Sequence, residues 1–86
     1  MITSGQVTVG TVAVQIDGSS VNPIHLTIHN NDNTKVLFLG GAAVTTSNGL
    51  AVQKEETIQF TLHPGETLFG VSSSGDHVIS WLRQQL

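Results

Sequence analysis

Residues 35–74 read KVLFLGGAAVTTSNGLAVQKEETIQFTLHPGETLFGVSSS. Three apolar runs, Val36-Leu37-Phe38-Leu39, Ile58-Gln59-Phe60-Thr61-Leu62 and Leu68-Phe69-Gly70-Val71, are punctuated by Gly40-Gly41, Ser47-Asn48-Gly49 and His63-Pro64-Gly65-Glu66. Glycine and asparagine tolerate positive φ and proline pre-sets a turn, so this spacing is that of consecutive antiparallel strands. Pro64 and Gly65 suit the two central positions of a type II turn. Asn48-Gly49, the strongest turn dipeptide of the chain, is expected to join a short strand at 42–45 to Leu50-Ala51-Val52. The run Val36 to Leu39 is apolar on both faces and calls for cover on each, from a second sheet or from a neighbouring subunit.

The flanks extend the pattern. Ile24, Leu26 and Ile28 alternate with His25, Thr27 and His29, a half-buried strand with its polar side outward. The Asn30-Asn31-Asp32-Asn33 cluster is expected to return this strand as a hairpin with residues 35–39. Val7, Val9, Val12, Val14 and Ile16 keep period 2 but change phase across Gly10-Thr11, which reads as one bent strand from about Gln6 to Ile16 with a bulge at Gly10. Asp17-Gly18-Ser19-Ser20 reads as the next turn, and a last strand is expected from His77 to Arg83. The fold class is therefore all-β: a small antiparallel sandwich or jelly-roll-like barrel of about seven or eight strands. Residues 1–86 read as a single β domain with 1–6 as a flexible N-terminal arm.

Eighty-six residues bury only about 60 to 65% of the surface of the unfolded chain. With no cysteine there is no disulfide staple and no thiolate metal site, so burial against copies of itself is an expected source of added stability. Lys35, Lys54 and Arg83 are the only lysines and arginines, too few and too scattered to neutralise a row of phosphates, and nucleic acid is disfavoured as a partner. No apolar run approaches the roughly 20 residues that cross a bilayer, and a soluble product made in the cytoplasm is expected. Charged residues make up 10% of the chain, while Thr, Ser, Asn and Gln supply 29 of the 86 residues. A surface of this kind is wettable yet loses less on desolvation than one studded with ions.

Groupings that could do chemistry are scarce. His25 and His29 on a strand stand roughly 13 Å apart, too far to share one metal ion. His63, Glu66 and His77 invite comparison with metal-binding cupins, but no His-x-His pair occurs and Glu66 reads as a turn acid bonding local backbone donors. There is no Gly-x-Ser-x-Gly elbow, phosphate loop or cysteine nucleophile, and Glu55-Glu56 point apart. No catalytic residue, metal or cofactor is expected. Trp81 reads either as a core plug or as an interface anchor.

Taken together, Val36 to Gly41, Val44-Thr45-Thr46-Ser47-Asn48-Gly49, Thr57 to Leu62, Pro64 to Gly75 and Val78 to Leu82 resemble a run found in small β-sandwich structural proteins of tailed-bacteriophage virions. The resemblance spans Thr27 to Leu82; Lys54 departs from it where a glycine is expected. It implies a non-enzymatic capsid decoration or cement protein, a homotrimer on the virion surface whose partner is the major capsid protein. Contact is expected through the rims and the N-terminal arm, at Met1, Ile2, Thr3, Gly40, Gly41, Asn48, Gly49, Ser73, Ser74 and Trp81. A tail-associated adaptor or fibre module, and a small cupin-like metal- or sugar-binding domain, are the alternatives.

Overall fold

Apolar residues at alternate positions need a second sheet to bury them, and the chain supplies it by folding a nested set of strand pairs over on itself. A computed structural model describes residues 2–18 and 21–85. Its strands are β1 (Ile2–Val9), β2 (Val14–Gly18), β3 (Ile24–Asn30), β4 (Leu37–Gly40), β5 (Leu50–Val52), β6 (Thr57–Leu62), β7 (Thr67–Ser72) and β8 (His77–Gln85). β1 pairs with β8, β2 with β7, β3 with β6 and β4 with β5, all antiparallel. The two four-stranded sheets have the orders β1-β8-β3-β6 and β2-β7-β4-β5, which is the strand order of a jelly roll. The expected all-β sandwich is present.

Between the sheets lie Ile24, Leu26 and Ile28 of β3, Val9, Leu62 and Ile79 from the rest of the first sheet, and Ile16, Leu37, Leu39, Val52 and Leu68 from the second. The alternation of residues 24–29 is what places three of these in the core and leaves His25, Thr27 and His29 half-buried on the other side.

Several local expectations are corrected. Residues 2–6 are no arm: they belong to β1 and pair with β8 from Ile2 opposite Gln84 to Gln6 opposite Ser80, because Ile2 to Gln6 find a ready hydrogen-bonding edge there. Met1 lies outside the described residues, as do Ser19 and Ser20. The phase change near Gly10 marks a change of sheet, since residues 10–13 turn the corner from β1 to β2, and the register shift sits further on, between Gln15 and Asp17. β3 and β4 form no hairpin. Asp32 accepts bonds from Thr34 N (2.7 Å), Thr34 Oγ1 (2.7 Å) and Lys35 N (2.9 Å), a local turn that carries the chain across to the second sheet.

Residues 42–45 form no strand either. The loop 41–49 lies against the outer face of the second sheet, where Val44 is 7% exposed and Val71 3%, although neither belongs to the central core. A Cβ at Gly49 would stand 2.8 Å from both Phe38 Cβ and Val44 Cγ2, so the loop reaches this close approach only with glycine there. The double-sided apolar character of Val36 to Leu39 is thus satisfied within the chain: Leu37 and Leu39 face the core, and Phe38 faces its own loop. The turn after β6 is as expected, with Gly65 at φ 88°, Glu66 N donating to His63 O at 3.0 Å and Glu66 Oε1 accepting from His63 N at 2.6 Å.

Candidate functional site: the bare face of one sheet

The two outer faces differ. That of β2-β7-β4-β5 is partly roofed by the 41–49 loop, whereas no loop among the described residues covers that of β1-β8-β3-β6. Register and alternation assign its outward rows. Ser4 lies beside Leu82, Leu82 beside Thr27 and Thr27 beside Gln59; the next rows run Ile2, Gln84, His25, Thr61 and Gln6, Ser80, His29, Thr57. Thr8 and Val78 complete it. No Asp, Glu, Lys or Arg is among them. Arg83, the one Lys or Arg among the strands of this sheet, points inward and pairs with Asp17 of the opposite sheet at 3.1 Å.

The face is stiffened across its strands. His25 Nε2 lies 3.1 Å from Gln59 Oε1, and His29 Nδ1 lies 2.8 Å from Thr57 Oγ1, each tying β3 to the edge strand β6. Ser80 Oγ accepts from Asn31 Nδ2 at 2.7 Å. Leu82 (44% exposed), Val78 (39%) and Ile2 (61%) interrupt the polar rows with apolar surface. The face shares with an interface centre its lack of lysine and carboxylates.

The residues expected at the contact surface are dispersed. Ile2 and Thr3 are exposed on edge strand β1; Gly40 ends β4, with Gly41, Asn48 and Gly49 in or at the end of the roofing loop; Ser73 and Ser74 lie beyond the opposite end of β4, where Ser73 N donates to Val36 O. Trp81 points inward, half-buried against the core, its ring over Gly5 so closely that a Cβ there would stand 2.7 Å from Cζ2. The face itself was missed, although its signal was present: the polar sides of residues 24–29 and 57–62 carry no carboxylate and no lysine.

Among the described residues no three His, Asp or Glu side chains gather to hold a metal ion. A notch of about 190 Å³ lined by Leu39, Gly40, Leu50, Phe60 and Leu68 is apolar throughout and below the range of ligand pockets. Ser72 and His77 form a hydroxyl–imidazole pair at 3.0 Å, but Ser72 is 1% exposed, its Oγ donates to Ser74 O at 3.2 Å, and His77 Nε2 is buried without a partner to orient it. Such a pair locks the β7–β8 turn and offers no nucleophile to solvent.

Burial lowers the pKa of His77 below the ordinary 6.5, against the opposing pull of Asp32 and with a smaller push from Lys35. The unfolded chain therefore binds a proton in the window just below 6.5 where the folded one does not, so stability is fully present above that value and falls as pH drops through the window. Urea midpoints should decline between about pH 7 and about pH 5, and His77→Gln should flatten that decline. Asp32, held at about 2 by its bonds from Thr34 and Lys35, adds a separate loss of stability only in stronger acid.

No protein family matches the chain, and no curated protein matches it. Among solved structures it is similar to a chain from Bacillus endospore appendages, described as a novel family of disulfide-linked pili, with a TM-score of 0.53 and 15% identity over 99% of this chain and 88% of that one. At that identity the likeness shows a shared fold.

Proposed function

We propose that this protein is a non-enzymatic structural subunit that works by adhesion, with the bare, uncharged face of β1-β8-β3-β6 seated on a protein lattice. The observation that carries this reading is the contrast between the faces: the second sheet is partly roofed by its own loop, and the first presents to solvent rows of ordered side chains free of Asp, Glu, Lys and Arg. Burying that face removes no carboxylate, lysine or arginine from water, so shape and hydrogen bonding decide the contact. In its specific form the reading is a capsid decoration protein on the surface of a phage head, bound to the major capsid protein. A protein that binds only the assembled shell stabilises the shell by mass action.

The test is a comparison of particles with and without the protein. Heat or osmotic shock should release the genome from the bare particles at lower stress, and equal resistance would refute the cement role. Copy number separates head from tail: a tail adaptor or fibre module would be present in a handful to tens of copies, a capsid coat in hundreds. A second reading, a filament subunit, draws on the fold shared with the endospore appendage chain. Any filament of this chain would be held without disulfides, since it has no cysteine.

A further inference from the structure

The two edge strands of the first sheet carry none of the devices that stop sheets from joining. Neither β1 (ITSGQVTV) nor β6 (TIQFTL) contains a charged residue or a proline, and neither shows a register shift in its pairing. The second sheet is better protected: edge strand β2 has a register shift and Asp17 within it, and β5 is only three residues long. Edge strands left long, regular and uncharged pair with other chains.

We propose that β1 of one copy pairs with β6 of the next, so that the first sheet runs on from copy to copy. Four strands alternating in direction leave the two outer ones antiparallel to each other, so a copy placed alongside continues the alternation without being turned over. The levels also agree. Ile2, Gln84, His25 and Thr61 form one row, and Gln6, Ser80, His29 and Thr57 another, which sets residues 2–6 of one copy opposite 61–57 of its neighbour. Ser4 then faces Gln59, and Thr3 and Gly5 come beside Phe60 and Ile58, the half-buried apolar residues by which edge strand β6 packs against the core. Pairing β1 with β1 about a two-fold axis would leave the β6 edge of both copies open, and pairing β6 with β6 would leave the β1 edge of both open; pairing β1 with β6 covers both unprotected edges in every copy except at the ends of an open array. The contact is heterologous and propagates, into a ring if the rotation closes and a filament if it does not.

The proposal stands apart from adhesion to a lattice, because purified protein in buffer tests it. In sedimentation velocity the mass of the wild-type chain should rise with concentration. Ser4→Lys with Gln59→Lys, both at exposed sites, should weaken association about fivefold, and Ser4→Lys with Gln59→Glu should restore it. The chain has no cysteine, so a Ser4→Cys chain mixed with a Gln59→Cys chain should oxidise to a mixed dimer, while each alone stays largely unlinked. Wild-type protein that stays monomeric at millimolar concentration, or Ser4→Cys chains or Gln59→Cys chains that link to their own kind as readily as to each other, would overturn the assignment.

Discussion

Replacing Asn30 by Asp should remove a large share of the protein's stability at neutral pH. Asn30 is fully buried at the end of β3, and its Nδ2 donates towards Lys35 O (2.9 Å), Val52 O (3.2 Å) and, more weakly, Gln53 O (3.4 Å) while Oδ1 accepts from Asp32 N (3.1 Å). Its backbone closes the same knot, with N donating to Glu56 O and O accepting from Glu55 N. One amide thus ties β3 of the first sheet to the lead into β4, to β5 and to the loop before β6. A carboxylate of the same shape would turn an acceptor towards three carbonyl oxygens and bury a charge without a counter-ion. That costs roughly 4 kcal/mol or more, against a total of about 4–13 kcal/mol for a domain of this length. Asn30→Ala leaves the same carbonyls unsatisfied without the charge and should lose about 2–4 kcal/mol. Urea unfolding followed by circular dichroism should therefore rank the near-isosteric variant below the truncated one, and equal midpoints would show that the amide is not what ties these loops.

This knot also shows where sequence reading stops. The alternation of Ile24, Leu26 and Ile28 was legible because period 2 is a local property, and so were the His63-Pro64-Gly65-Glu66 turn and the apolar run of β4. Partners were not. Every strand pair except the short β4–β5 joins segments whose relation depends on the nesting of the whole chain, and even the sequence neighbours β7 and β8 lie in different sheets. Asn30 looked like one of four turn residues because nothing local distinguishes a solvated asparagine from one that satisfies three buried carbonyls. The same blindness hid the bare face: Thr27 and Gln59 stand 32 positions apart in sequence yet share a row. The inward turn of Trp81 over Gly5 depends on the β1–β8 register, which composition and spacing do not contain.

The largest expected effect on function comes from a single charge at the centre of that face. Thr27 lies between Leu82 and Gln59 on an inner strand, half-buried on the outward side, where a longer side chain can extend into solvent without entering the core. Thr27→Arg should fold with near-wild-type stability, since it breaks no bond and fills no cavity. Seated on a partner, however, its guanidinium would be stripped of water with no carboxylate on its own face to meet it, a loss of about 3 kcal/mol or about a hundredfold in affinity. The control is Thr67→Arg, an equally polar site on an outer part of the second sheet. The decisive measurement is occupancy of the assembled particle by the two variants at equal concentration: the account predicts that Thr67→Arg decorates as wild type does and Thr27→Arg does not. Full decoration by a folded Thr27→Arg chain would contradict it.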